Sequence, residues 1–324
     1  MSVVISGSIA TDHLMSYPGK FSEQFLPDQL DKISMSFLVS DLEVRRGGVG
    51  ANIAFAMGVL GQNPYLLGAA GQDFDEYDQW LTKHGVDTTL VRIEDSLHTA
   101  RFVCTTDTEQ AQLASFYPGA MAQASKADLG FVTGKIGTPD IVLIGANDPG
   151  AMVTLTEECR AAGVPFAADP SQQLVSLDAE QITTLVDGAA YLFSNEYELG
   201  LILHRTGWTA EELDSRVGVR VTTKGKDGAS VFSAEGEVSV GVVPARTVVD
   251  PTGLGDAFRA GFLTGVRNGR SVERAAQLGA LIATYVIETT GPQEWTMDAD
   301  EATARLREAF GEDAAQELAE LLPA

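Results

Sequence analysis

Basic residues are scarce in this chain: 22 Lys and Arg stand against 45 Asp and Glu in 324 residues, a formal net charge of −23. A surface this acidic repels phosphate backbones, which excludes nucleic acid as a partner. Cysteine is nearly absent. Cys104 and Cys159 show no metal-like or redox-like spacing, so reduced, inert thiols and a cytoplasmic setting are expected. No apolar stretch approaches the length of a membrane span, so no membrane partner is expected. Met1-Ser2-Val3-Val4-Ile5-Ser6 enters a strand pattern without a basic region or long apolar core, so no signal peptide is expected. The chain has no Gly-x-x-x-x-Gly-Lys-Ser/Thr loop, no Gly-x-Gly-x-x-Gly fingerprint and no protein-kinase loop set. His13, His84, His98 and His204 form no metal-ligand spacing.

What is present is an alternation of short apolar runs with helical patterns. Val3–Ser6, Tyr65–Ala69, Ile141–Ile144, Phe166–Ala168, Tyr191–Phe193, Arg220–Thr222 and Ala229–Phe232 read as strands, mostly buried on both faces. Residues 52–60, 74–84, 151–162, 179–186 and 196–204 fit helices between them, and 256–268, 272–288 and 299–321 fit three more. That order predicts an α/β fold, a largely parallel sheet between two helical layers, with an antiparallel ribbon through 220–222, 229–232 and 238–243. The whole of 1–324 is expected to be one domain. Two insertions, 13–46 and 99–118, break the rhythm. Ile33–Phe37, Ala100–Thr105 and Ala111–Phe116 alternate apolar with polar and predict a small sheet projecting over the main domain.

The most informative segment is Asp250-Pro251-Thr252-Gly253-Leu254-Gly255-Asp256-Ala257-Phe258-Arg259-Ala260-Gly261. Gly253 and Gly255 remove side chains where backbone N–H groups must approach a ligand, at the mouth of an apolar, helix-compatible run. Asp256 is then a carboxylate beside an anion cradle. A helix cap explains an isolated aspartate at this position. Beside a cradle, a carboxylate that takes a proton from an attacking hydroxyl makes better sense, since phosphoryl transfer needs both parts. Arg46-Gly47-Gly48-Val49-Gly50-Ala51-Asn52 is a second such mouth, and Asn52 offers an acceptor and two donors suited to vicinal hydroxyls. Gly7-Ser8-Ile9-Ala10-Thr11-Asp12-His13 follows the first strand, placing Ser8 and Asp12 where α/β sheets gather ligands.

The Asp250–Gly261 segment resembles the signature of the ribokinase-like (PfkB) carbohydrate and nucleoside kinases, and Gly47-Gly48 with Asn52 resembles the same family's N-terminal signature. The resemblance implies ATP as phosphoryl donor with Mg²⁺, and a three-layer α/β/α sandwich carrying a β-sheet lid that often forms homodimers. It implies that Asp256 is the general base and that the Gly253, Leu254 and Gly255 backbone is the anion hole. Many relatives have Ala at the Leu254 position; its side chain is expected to point away while its N–H stays in the cradle. Asn195 and Glu198 look like the family's Asn-x-x-Glu pair near Mg²⁺ and the phosphates, although a helix cap explains them as well. Val221-Thr222-Thr223-Lys224-Gly225 resembles the loop beside the nucleotide phosphates, and Asp169 sits at another strand end near phosphate or metal. A monovalent cation such as K⁺ near Asp250 and Thr252, as in several relatives, is left open.

Substrate choice rests on less. A nucleoside adds a flat base to the sugar, and Phe102 and Phe116, with Phe37 a third option, offer ring faces. Aromatics at alternate strand positions are usually core, so on these residues ribose and adenosine stand level. The chain also resembles adenosine kinases of the actinobacterial type through Gly7–Met15, Ser115–Met121 and Ala167–Gln173. That likeness implies phosphorylation of the adenosine 5′-hydroxyl to AMP, with Ser8, Asp12, Ser36, Gly47, Gly48, Asn52, Phe102, Phe116, Gln172 and Gln173 around the nucleoside. The alternatives are a ribokinase or other sugar kinase of the family, and a catalytically silent nucleotide-binding regulator.

Overall fold

Val3, Val4 and Ile5 show how the central sheet is built. All are buried, yet Val3 and Ile5 face one apolar layer and Val4 the other. The same division separates Leu143 from Val142 and Ile144. Strands covered on both faces read as continuous apolar runs, which is the pattern of a parallel sheet between helical layers. The computed structural model describes residues 2–24 and 34–323.

Strands β1 (Val3–Ser6), β4 (Tyr65–Gly71), β5 (Val91–Glu94), β8 (Ile141–Ile144), β9 (Phe166–Ala168), β10 (Tyr191–Asn195) and β11 (Val219–Thr223) are parallel. At one edge β12 (Ala229–Ser233) and β13 (Gly236–Val240) return antiparallel. The spatial order is β13-β12-β11-β10-β9-β8-β1-β4-β5. One face is covered by α1 (Val49–Val59), α2 (Asp75–Lys83), α8 (Leu254–Arg267), α9 (Val272–Ile287), α10 (Ala299–Phe310) and α11 (Glu312–Ala319). The other carries α3 (Leu129–Ile136), α4 (Pro149–Ala162), α5 (Ala179–Val186), α6 (Glu196–Thr206) and α7 (Ala210–Asp214). Helix α8 is fixed by close packing on α9: a Cβ on Gly261 would lie 2.7 Å from the Gly279 Cα. Among the described residues no helix is long and apolar enough to cross a membrane.

A second sheet, ordered β3-β2-β6-β7, is made by β2 (Ala10–Ser16), β3 (Asp41–Gly47), β6 (Ala100–Thr106) and β7 (Gln112–Tyr117). The expected strand at 33–37 is not one: Ile33 lies outside the described residues, and 34–37 pair with no strand. Phe37 instead packs on Tyr17 and Phe21, with ring centroids 5.1 and 5.0 Å away. The pairing strand is β3, whose alternation of Leu42 and Val44 with Glu43 and Arg45 carries many charges because much of it is exposed. The single helix expected over 299–321 is two, because Gly311, at φ 89°, breaks it between α10 and α11. Both halves bury an apolar stripe in the core, through Ala302 and Leu306, and Ala315 and Leu318.

Candidate active site

Two helix N-termini converge beyond the carboxyl ends of the parallel strands, where open α/β sheets place their ligands. Helix α1 begins after Gly48, whose φ of 97° suits glycine and whose missing Cβ would otherwise lie 2.5 Å from the Ser8 carbonyl oxygen. The Ser8 Oγ accepts the Val49 N–H at 2.9 Å, so this predicted ligand residue also caps α1. Helix α8 begins after Gly253, in the left-handed region at φ 80°. The N-cap residues of α3, α4, α5, α6, α7, α9 and α10 each accept a first-turn N–H with a side chain; that of α8 does not. The Leu254 N–H turns back to the Pro251 carbonyl at 3.4 Å, while those of Gly255 and Asp256 open onto the cleft with the positive end of the helix dipole.

Asp256 stands in that first turn, part-buried, and its Oδ2 accepts from Asn52 Nδ2 at 2.9 Å. Burial pushes the carboxyl up to about 7, against the opposing pull of the Asn52 bond and the Arg259 charge. Asn52 is itself held: Gln293 Nε2 donates to its Oδ1 at 2.9 Å and to the Tyr77 hydroxyl at 2.6 Å, and that hydroxyl donates to the Gly47 carbonyl at 2.9 Å. Asn52 thus orients Asp256, leaving one Nδ2 hydrogen and part of its carbonyl for a ligand.

The lid sheet faces this point with one row of side chains. Strand register aligns Arg45, Asp12, Phe102 and Phe116 across β3, β2, β6 and β7. Asp12 therefore lies on a lid strand rather than in the loop expected after β1, and burial raises its carboxyl to about 6. Gly47 makes room for it, since a Cβ there would lie 2.9 Å from Asp12 Oδ2. Arg45 reaches across to the loop before α8, its Nη1 3.3 Å from Asp250 Oδ2. That oxygen also accepts the Gly291 N–H, and Asp250 Oδ1 accepts the Thr252 N–H.

These groups enclose a cleft of about 660 Å³. Of the predicted residues, Ser8, Asp12, Gly48, Asn52, Phe102, Phe116, Gln172, Gln173, Asn195, Glu198, Thr223, Gly225, Gly253, Leu254, Gly255 and Asp256 line it. Ser36, Gly47, Lys224 and Asp169 do not; Ser36 is exposed, and Asp169 is fully buried against Arg259. Asn195 and Glu198 form a reciprocal cap on α6, each side chain accepting the other's backbone N–H at 2.8 Å. Among the described residues no group of three His, Cys, Asp or Glu side chains is placed to hold a metal.

A second cavity of about 360 Å³ adjoins the cleft at Thr223, Gly225, Leu254 and Gly255 and is walled mainly by Val242, Val243, Val248, Ala280, Ala283 and Ile287. Sequence reasoning missed it because its wall is an irregular segment packed on α9, with no motif of its own. Arg259, Gln293, Tyr77 and Arg45 were missed as well. Arg259 carried the one available signal, a charge inside an otherwise apolar helical run.

Two glycine-opened helix mouths, a carboxylate in the uncapped one and one face of the second sheet thus meet at a single cleft. A family model for pfkB family carbohydrate kinases matches residues 10–299. The chain belongs to that family. Its ribokinase-like fold is shared with Burkholderia thailandensis nucleoside kinase in complex with inosine, at a TM-score of 0.84 and 33% identity over 96% of this chain and 97% of that one. A nucleoside kinase of Methanothermobacter thermautotrophicus is 28% identical over 288 residues, 88% of this chain and 92% of the relative. An ATP-dependent ribose-1-phosphate kinase of Halopiger xanaduensis is 30% identical over 249 residues, 73% of this chain and 80% of the relative.

The raised Asp256 carboxyl bears on stability. A folded-state value of about 7 against an ordinary 3.8 means that this group's stabilisation is complete below about 3.8 and is lost as pH rises through about 7. Asp256→Asn removes the ionisation, so at pH 8 the unliganded variant should be more stable by about 1–3 kcal/mol, a few degrees in melting temperature. At pH 4 the two proteins should melt together. Equal melting temperatures at pH 8 would show that the carboxylate is not strained by its site.

Proposed function

We propose that this PfkB-family kinase is an ATP-dependent nucleoside kinase that phosphorylates the 5′-hydroxyl of adenosine, giving AMP and ADP. The observation that carries the reading is the position of Asp256. It stands at the uncapped α8 terminus, between the lid row of Asp12, Phe102 and Phe116 and the apolar cavity beside Thr223 and Gly225. A nucleoside needs hydroxyl acceptors and a ring face on one side of the base. ATP needs an anion cradle and an apolar slot for adenine on the other. The nucleoside kinases of B. thailandensis and M. thermautotrophicus support this assignment, and the former was also solved with ADP-inosine.

In this reading Asp12 accepts ribose hydroxyls in charge-assisted hydrogen bonds, and Phe102 and Phe116 flank the base. Asp256 takes the 5′-hydroxyl proton as that oxygen attacks the γ-phosphorus. The bond from the γ-phosphorus to the β-γ bridging oxygen breaks, and ADP leaves. First-turn N–H groups of α8 stabilise charge on the transferring group. When bound, Mg²⁺ supplies charge neutralisation to the ATP phosphates, with Asn195 and Glu198 within reach through water. Arg45 and the Gly291 N–H hold Asp250 Oδ2, and the Thr252 N–H holds Oδ1, which keeps one lone pair for a cation such as K⁺. The outer lid face exposes Leu42, Val44 and Leu113 by 55, 57 and 41%, and this apolar row supports a homodimer through the lid.

The Halopiger relative favours a second reading, a phosphorylated or free pentose as acceptor. ADP release with adenosine, inosine, guanosine, ribose, ribose 1-phosphate and fructose separates the readings. Turnover on adenosine, lowered about 10²–10⁴-fold in Asp256→Asn with adenosine affinity nearly intact, is the expected result. Preference for a pentose would discard the base contacts of Phe102 and Phe116. No turnover at all would leave a silent nucleotide binder. Separately, Asp12→Ala should weaken adenosine binding roughly 10–100-fold by calorimetry and leave ATP binding unchanged. Unaltered adenosine affinity would remove Asp12 from the sugar site.

A further inference from the structure

Asp256, the helix mouths and the lid leave one buried charge of the cleft without a ligand. Arg259 is 5% exposed, lines the cleft and lies one helical turn beyond Gly255. Side chains on a helix lean toward its N-terminus, so a long residue at this position runs back over the first turn. It does so here: a Cβ on Gly255 would lie 2.6 Å from Arg259 Nη1. Glycine at 255 therefore makes room for a guanidinium as well as for a ligand. Arg259 is held from behind. Its Nε is 2.6 Å from Oδ2 of Asp169, which is fully buried, its Nη2 is 4.0 Å from Glu198 Oε2, and its Cζ lies 5.8 Å from the Phe193 ring centroid.

Neither Nη atom donates a hydrogen bond to the described residues. A guanidinium has five N–H donors; Nε is the one enclosed by protein against Asp169, while the Nη donors open into the cleft, free for a ligand. Their place beside an anion cradle indicates what satisfies them: the oxygens of a phosphoryl group. Phosphoryl transfer spreads charge over those equatorial oxygens, and a fixed guanidinium there is worth most in the transition state.

We propose that Arg259 is a catalytic residue, its guanidinium contacting the phosphoryl group in transit at the lip of the α8 cradle, with Asp169 as the fixed counterion that aims it. The proposal rests on the kinase reading of the cleft. The competing roles act through other groups: Arg259 neutralises Asp169 and Glu198 and lowers the Asp256 carboxyl, which would move the acid limb of the pH profile and leave affinity for the transferring-group mimic intact. Because Arg259→Gln alone strands a buried carboxylate, the decisive variant is Asp169→Asn/Arg259→Gln, which removes both charges together.

The variants are compared with the full-length wild type on whichever acceptor the wild type phosphorylates. Calorimetry then measures binding of ADP, of acceptor, and of ADP with aluminium fluoride, which mimics the transferring group. The double variant should lose about 10²–10³-fold in kcat, with acceptor KM and ADP affinity changed by less than about threefold. It should also lose the extra affinity for ADP with aluminium fluoride, and Arg259→Lys should restore only part of it. A double variant within about threefold of wild-type kcat would overturn the proposal. So would an equal loss of ADP affinity, which places the contact on the ground-state nucleotide. Failure of the nucleoside reading shows differently, as a wild type that ignores nucleosides.

Discussion

The hydrogen bond from Asn52 to Asp256 joins the two halves of the site. Asn52 belongs to α1 and Asp256 to α8, so the bond ties together helix mouths that lie 204 residues apart in sequence. It also counters the desolvation of the carboxylate. A carboxylate sunk beside other acids tends to hold its proton, and a protonated base cannot accept another. Burial raises Asp256; the Asn52 donor and the Arg259 charge keep it near neutrality, where an acid–base group works best.

Around that bond the lid is linked to the catalytic floor at two places. The chain from the Gly47 carbonyl through Tyr77 and Gln293 to Asn52 starts at the last residue of β3 and ends on the acceptor side of the Asp256 donor. Arg45, two residues earlier, is paired with Asp250 in the loop leading to the cradle. The edge strand of the second sheet thus reaches Asn52 through Tyr77 and Gln293 and the loop before α8 through Arg45. The second sheet and the Asn52–Asp256 pair are joined through groups with fixed partners.

The sequence made the frame readable where burial was uniform. Val3–Ser6, Ile141–Ile144 and Phe166–Ala168 are continuous apolar runs because both faces are covered, and they fall where expected. The glycine-opened mouths were readable because backbone approach leaves its own mark on composition. Strand β3 was not, since an exposed edge carries charges that obscure its alternation. The break at Gly311 was not either, one glycine in a helical pattern being compatible with continuation. Gln293 reaches Asn52 and Tyr77, each more than 200 residues away in sequence, and nothing local announces such a bond. Arg259 sat inside the most telling motif and went unread, because its task depends on Asp169 from a different strand end.

If Asp256 must be ionised to act, the acid limb of the pH profile reports it. The measurement is kcat/KM for the acceptor between pH 5 and 9 at saturating nucleotide, because that ratio titrates the enzyme before the acceptor binds. Activity should be level above neutrality and fall with decreasing pH through about 7, the value set by burial of Asp256, and more steeply through about 6, where Asp12 titrates. A profile that stays flat down to pH 5 would contradict the account, for it would leave Asp256 without the role on which the site is built.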